Sequence, residues 1–290
     1  MTAGGSKHDV VMRLAKIFLT PEARSWVRAR RRVQGIRRLF RPKDVFLIGH
    51  PKSGNTWLAY LLAIALFEQR RQEITLKNVG DFVPFVHGQD LRIAEYDYLP
   101  DPRVFRNECP IYPEFYPKII YLMRDPRAVL VSFYHMYRVM LNDTTMPLQT
   151  FVESYLATEG CFKSWNVGLA RWDQQVLEWT GRAKSDPRIC VVKYEDLVAD
   201  RKSVLRRILG FIRASCSKEN LDHAVARGEF QLMQEMEREH GAEAYREEIG
   251  QRGRFIRRGL IDGWRHELDV DLARMIEREF AAAMSAAGYI

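Results

Sequence analysis

The apolar positions of this chain follow two rhythms. Short unbroken runs are VFLI at 45–48, IIYLM at 119–123 and ICVV at 189–192, each bounded by charged or turn-forming residues. Runs of that length and β-rich composition read as strands buried on both faces. Between them the apolar residues recur every three to four positions. This periodicity predicts helices from Leu58 through the LAYLLAIAL pattern, over 128–140, 149–156 and 167–179, then from Glu195 with its clearest part at 202–212, and over 221–240 and 271–287. Asp125-Pro126 places a proline at the first helical position. Residues 74–117, rich in aromatics and prolines, read as a mixed region, and 241–265 as a long polar segment with glycines. Strand and helix in alternation predict an α/β fold, with a central parallel sheet flanked by helices and right-handed crossovers. No repeat of solenoid period is visible.

Composition changes this picture little. The 290 residues suit one large domain, and 47% hydrophobic with 28% charged residues is ordinary for a globular chain. A formal charge of +8 favours an anionic ligand or partner. Cys109, Cys161, Cys190 and Cys216 form no CxxC pair, so reduced thiols are expected and a zinc site is not. The apolar stretch at 58–67 is too short to span a bilayer, and no cleavage-site pattern follows an apolar core near the start. A soluble cytoplasmic protein is expected. Residues 13–43 carry eleven Lys or Arg against the single acid Glu22, with apolar residues interspersed. Residues 1–43 therefore read as a basic, helical arm, solvated or turned toward a membrane surface or acidic partner, and residues 44–290 as the domain. A transit peptide has a similar composition.

The chemistry concentrates where strands end. Gly49 and Gly54 close a loop between strand and helix, a place where backbone amides and the helix N-terminus favour phosphate. Their spacing matches a Walker loop and Thr56 keeps its hydroxyl, but Asn55 stands where the Walker lysine belongs and Lys52 has moved into the loop. A shorter phosphate than a triphosphate is expected. Ligands of parallel sheets bind beyond the carboxyl ends of the strands. Arg124 follows the second predicted strand and Tyr194 ends the third, while Ser132 lies about two helical turns past Arg124. Arg254, Arg257, Arg258 and Gly259 crowd the late polar segment. Blander roles exist for each: an ion pair of Arg124 with Asp125, Glu195 or Asp196, a plain helix serine, a solvated basic loop.

Together these stations resemble the sulfotransferase superfamily, which uses 3′-phosphoadenosine 5′-phosphosulfate (PAPS). HPKSGNTWL at 50–58 is similar to that family's 5′-phosphosulfate loop, YLMRDPRAVLVSFYHMY at 121–137 to its 3′-phosphate strand and helix, Tyr194-Glu195-Asp196 to its YED, and RRGLIDGWR at 257–265 to its late glycine motif. The resemblance covers about residues 44–266. It implies that Lys52 neutralises charge on the bridging oxygen, and that the amides of Ser53, Gly54, Asn55 and Thr56, with the Thr56 hydroxyl, hold the 5′-phosphate. It further implies that Trp57 stacks on adenine with Tyr194 at its edge. Arg124, Ser132, Arg257 and Arg258 would then read the 3′-phosphate, beside the Gly259 backbone. No metal is implied, because a sulfuryl group carries less charge than a terminal phosphate, and no nucleic acid is expected as a partner.

The chain departs from the pattern at the base. Many cytosolic members place a histidine between the first two motifs; here Glu108 occupies its place, in RNECP at 106–110. Glu108 is the first candidate for general base, with His87 in DFVPFVHG second and His135 behind it; an ion pair of Glu108 with Arg103 or Arg106 is the structural alternative. Phe82, Phe85, Tyr96, Tyr98, Phe133, Tyr137, Phe151, Phe162 and Trp165 fall in acceptor-lining segments of similar enzymes; aromatic residues are more often core than pocket, so several are expected to be structural, and the composition points to a ring-bearing or lipid-like alcohol or phenol. Two other readings remain at this level: a P-loop kinase-like enzyme, and a non-catalytic basic adaptor that retains a nucleotide fold.

Overall fold

A computed structural model describes residues 38–86, 93–110, 113–157, 169–243 and 253–290. The basic arm, except for its last residues, lies outside them. Strand β1 (Val45–Ile48) is central, pairing on one side with β2 (Val104–Asn107) and on the other with β3 (Lys118–Met123). Strand β4 (Ile189–Lys193) pairs with β3, giving the order β2-β1-β3-β4 with every pairing parallel. The expected α/β architecture is therefore present, with one strand more than the apolar pattern showed.

Strand β2 escaped the pattern because half of it is polar. VFRN is four residues long, and both its polar members are buried, Arg106 with partners distant in sequence. Arg106 donates from Nε to the Val83 carbonyl at 2.9 Å and pairs with Glu243 at 2.7 Å. Just before the strand, fully buried Arg103 grips Asp44 through two bonds of 2.8 and 2.7 Å and Asp97 through a third of 2.7 Å. A two-point bond between guanidinium and carboxylate fixes geometry as well as satisfying both charges. It ties the start of β1 to the start of β2.

Helix α1 (Asn55–Leu66) is apolar on nearly all sides and is buried accordingly. Helix α2 (Pro126–Leu141) begins at Asp125, whose carboxylate accepts from the Arg127 amide at 2.8 Å, with proline at the first helical position. Helices α3 (Leu148–Leu156) and α4 (Trp172–Ala183) precede β4. Helix α5 (Tyr194–Ala199) follows it directly and passes into α6 (Arg201–Ile212). The predicted helix over 221–240 is two, α7 (Lys218–Arg227) and α8 (Phe230–His240). The break falls at Gly228, where a Cβ would stand 2.5 Å from Leu61. The last predicted helix also divides, at Phe280, into α9 (Val270–Glu279) and α10 (Ala281–Ala287). Among the described residues no helix is long and apolar enough to cross a membrane.

Candidate functional site

All four strands deliver a chemically active side chain to one cavity of about 600 Å³ at their carboxyl ends. Lys52 lies in the loop after β1, Glu108 follows β2, Arg124 follows β3 and Tyr194 follows β4, and all four line the cavity. The sequence reading placed three of these on strand ends. The fourth, Glu108, gains its position from the unforeseen β2.

The loop after β1 is shaped by two glycines and one strained lysine. A Cβ on Gly49 would lie 2.4 Å from Asn55 Oδ1 and 2.6 Å from the Leu122 carbonyl. Gly54 has φ +103°, with the Tyr194 ring 2.8 Å from where its Cβ would stand. Lys52 itself has φ +71°, a conformation few non-glycine residues hold without surrounding constraint. Gly54 caps α1 without a side-chain hydrogen bond, and the first turn carries no acid. The leading amides of a helix have no intrahelical acceptor, so this end can take an anion. The Ser53 amide differs from expectation, since it donates to the His50 carbonyl at 3.1 Å and shapes the turn. The Ser53 hydroxyl is buried without a hydrogen-bond partner.

Asn55 joins the loop to the base candidate. Its Nδ2 donates to the Gly49 carbonyl at 3.0 Å, the His50 carbonyl at 3.3 Å and Glu108 Oε1 at 3.3 Å. Gln175 holds the Glu108 backbone carbonyl at 3.1 Å. Burial pushes the Glu108 carboxyl up to about 7, against the Asn55 bond and the charges of Arg106 and Lys52. Burial likewise brings Lys52 down to about 8, against the pull of Glu108 and with further depression by Arg124 and Arg257. Its Nζ sits 4.4 Å from the centre of the Phe255 ring. The alternative ion pairs for Glu108 are not formed: Arg103 is held by Asp44 and Asp97, and Arg106 by Glu243.

Arg124 sits over the Tyr194 ring, its guanidinium carbon 4.0 Å from the ring centre. It donates to the carbonyls of Lys52 at 3.3 Å and Leu260 at 3.4 Å, while its Nε is buried without a partner. Two of the acids named as its alternative partners are engaged elsewhere: Asp125 holds Arg127, and Glu195 accepts from the Asp125 amide and Tyr289. Ser132, Arg257, Arg258 and Gly259 line the same cavity. Gly259 has φ +66°, and a Cβ there would strike the Phe230 ring. The Trp57 and Tyr194 rings meet at 5.4 Å and 60°, with Arg201 over Trp57.

The other base candidates separate. His135 turns from the cavity to Glu267, its Nε2 2.5 Å from Oε2, and His87 lies outside the described residues. Buried His50, brought down to about 4 by burial, receives the Tyr155 hydroxyl at 2.8 Å and bonds the Pro51 carbonyl at 2.9 Å. Of the aromatics assigned to the acceptor side, Phe85 and Phe133 line the cavity. Phe82 and Phe151 are the structural core members that were expected among them, while Tyr98 is exposed and lines no part of the cavity. Tyr96 packs on Phe105 and Tyr137 on Phe151, while Phe162 and Trp165 lie outside the described residues. The reading missed Met136, Met140, Arg106, Glu243 and Phe255 in the wall. Met136 and Met140 carried a signal, being four apart on the helix that bears Ser132.

Relatives among known proteins cover most of the chain. A rabbit (Oryctolagus cuniculus) protein named amine sulfotransferase is 29% identical over 254 residues, 84% of this chain and 81% of its own. A Cavia porcellus 3-beta-hydroxysteroid sulfotransferase is 24% identical over 261 residues, covering 87% and 86%. In fold, the chain is similar to a mouse sulfotransferase crystallised with adenosine 3′,5′-bisphosphate (PAP), with TM-score 0.61, 22% identity and 84% of each chain covered. It is similar also to a retinol dehydratase in complex with retinol and PAP, with TM-score 0.62, 20% identity and coverage of 84% and 82%. The family model of the sulfotransferase domain matches residues 42–288, and the chain belongs to that family.

Proposed function

We propose that this enzyme transfers a sulfuryl group from PAPS to a hydroxyl of a small or lipid-like acceptor, in line and without a metal. The observation that carries the reading is the meeting of half-buried Lys52 and Glu108 in one cavity, where desolvation brings their ionisation close to neutrality from opposite sides. The cavity fits the nucleotide: the buried Ser53 hydroxyl and Arg124 Nε lack partners, and the α1 N-terminus has no side-chain cap. Ser53, Gly54, Asn55 and Thr56 would hold the 5′-phosphate, the Ser53 contribution coming from its hydroxyl. Trp57 and Tyr194 would flank the base, and Arg124, Ser132, Arg257, Arg258 and the Gly259 backbone would surround the 3′-phosphate.

PAPS, when bound, supplies the sulfuryl group, whose bond to the 5′-phosphate oxygen breaks as the acceptor oxygen bonds to sulfur. Lys52 neutralises the charge left on that phosphate oxygen, the kind of preorganised electrostatic support that dominates such transfers. Glu108 takes the acceptor proton on the carboxylate oxygen that Asn55 does not engage, and a base that ionises near neutrality suits this task. A sulfuryl group carries less charge than a terminal phosphate, so Lys52 and the arginines can supply the neutralisation. The kinase-like reading has no counterpart of the Walker lysine, and enzyme family membership leaves the adaptor reading without support.

Phe85, Phe133, Met136 and Met140 favour an apolar ring or chain next to the acceptor atom. The rabbit relative's name favours a second acceptor class, amines, for which Glu108 would accept the nitrogen's proton. Calorimetry with PAP and adenosine 5′-phosphate tests the nucleotide half. Arg124→Ala and Ser132→Ala should each weaken PAP by about 1.5–3 kcal/mol, as for loss of a charge-assisted bond, while adenosine 5′-phosphate is little changed. Equal weakening of both nucleotides would remove these residues from the 3′-phosphate.

A further inference from the structure

A carboxylate stands behind the arginines at this end of the cavity, and neither the sequence reading nor the proposed reaction uses it. Glu267 follows the short turn Gly263–His266, anchored there by its amide on the Trp264 carbonyl at 3.0 Å. Its Oε1 accepts from Arg257 at 2.5 Å and lies 3.5 Å from Arg258. Its Oε2 accepts from His135 Nε2 at 2.5 Å. His135 lies on α2 three residues beyond Ser132, so the two share a helix face. Arg257, Arg258 and Ser132 line the cavity, whereas Glu267 and His135 do not.

We infer that Glu267, steadied by His135, is a positioning residue that presets Arg257 and Arg258 to receive the 3′-phosphate of the nucleotide. The inference rests on the assignment of those arginines to the 3′-phosphate. An arginine side chain has many rotamers, and one already held spends less entropy on binding its phosphate. Glu267 engages Arg257 through a single nitrogen, Nη1, leaving other guanidinium donors for a ligand. The carboxylate does not cancel the field, because two guanidinium charges oppose its one. Burial raises the Glu267 carboxyl, but bonds from His135 and Arg257 overcome this and hold it below the usual range, so it stays charged. Burial lowers the His135 imidazole against its bond to Glu267, to whose carboxylate its Nε2–H donates.

The test is calorimetry of PAP and adenosine 5′-phosphate with the full chain and its Glu267→Ala, Glu267→Gln and Arg257→Ala variants. Glu267→Ala should weaken PAP about tenfold while adenosine 5′-phosphate stays within about twofold, because only the 3′-phosphate meets the preset arginines. Glu267→Gln keeps one acceptor oxygen and should recover part of that selectivity; it is also the deciding variant if Glu267→Ala fails to fold. Unchanged or tighter PAP binding would mean that the carboxylate is a bystander or a competitor, and equal loss for both nucleotides a purely structural role. Each of these overturns the proposal. If Arg257→Ala leaves the PAP preference intact, the 3′-phosphate assignment itself fails. If Arg257→Ala removes it and the Glu267 variants do not, only the positioning role falls.

Discussion

At the scale of single residues the site is a pair of ionisable groups shifted toward each other. Burial raises Glu108 to about 7 and lowers Lys52 to about 8. The proposed mechanism needs Glu108 unprotonated and Lys52 protonated, so kcat/KM should rise with pH through about 7 and fall above about 8. The two limbs belong to the coupled pair. Lys52→Arg keeps a charge that does not titrate in this range and should abolish the alkaline limb at reduced kcat. A profile flat across neutrality in the wild type would contradict both assignments. Lys52, Arg124 and Ser132 were legible in the chain because motif spacing fixes them. Glu108 was legible only as a substitution within a recognisable stretch. Its Asn55 partner lies 53 positions away, which no local pattern carries.

At the scale of elements, the strand ends and loop after β1 set the chemistry. Gly54 is needed twice, for φ +103° and for the Tyr194 ring at 2.8 Å from a would-be Cβ. Gly54→Ala should cost about 1–3 kcal/mol of stability through backbone strain, with the ring contact added. Calorimetric melting should show a Tm lower by several degrees, and PAP binding should weaken as Tyr194 shifts. A variant that melts and binds like wild type would mean the loop relaxes freely. Three strands and most helices followed from apolar period. Strand β2 did not, because Arg106 and Asn107 interrupt its apolar run and are paid for by partners elsewhere in the fold. The break between α7 and α8 turned on Gly228 approaching Leu61, a contact invisible to periodicity.

At the scale of the molecule, the order of strands brings four separated segments to one mouth. The order of motifs made the family legible, while the parallel sheet followed from the alternation of strand and helix. The acceptor wall was less legible, since an aromatic residue reads alike in a core and in a cavity; Phe133 lines the cavity and Phe151, packed edge-on against it, does not. The central claim is sulfuryl transfer with Glu108 as base and Lys52 on the leaving oxygen. Its most direct measurement follows labelled sulfate from PAPS into a panel of alcohols, phenols and amines, comparing wild type with Glu108→Gln and Lys52→Ala under single-turnover conditions. The account predicts transfer by the wild type to at least one apolar acceptor. It predicts a loss of about 10²–10⁴-fold in Glu108→Gln, larger for a weakly acidic alcohol than for a phenol, with PAP affinity retained. Lys52→Ala should lose about 10²-fold or more on every acceptor. Wild-type transfer with Glu108→Gln undiminished on a weakly acidic alcohol would contradict the account.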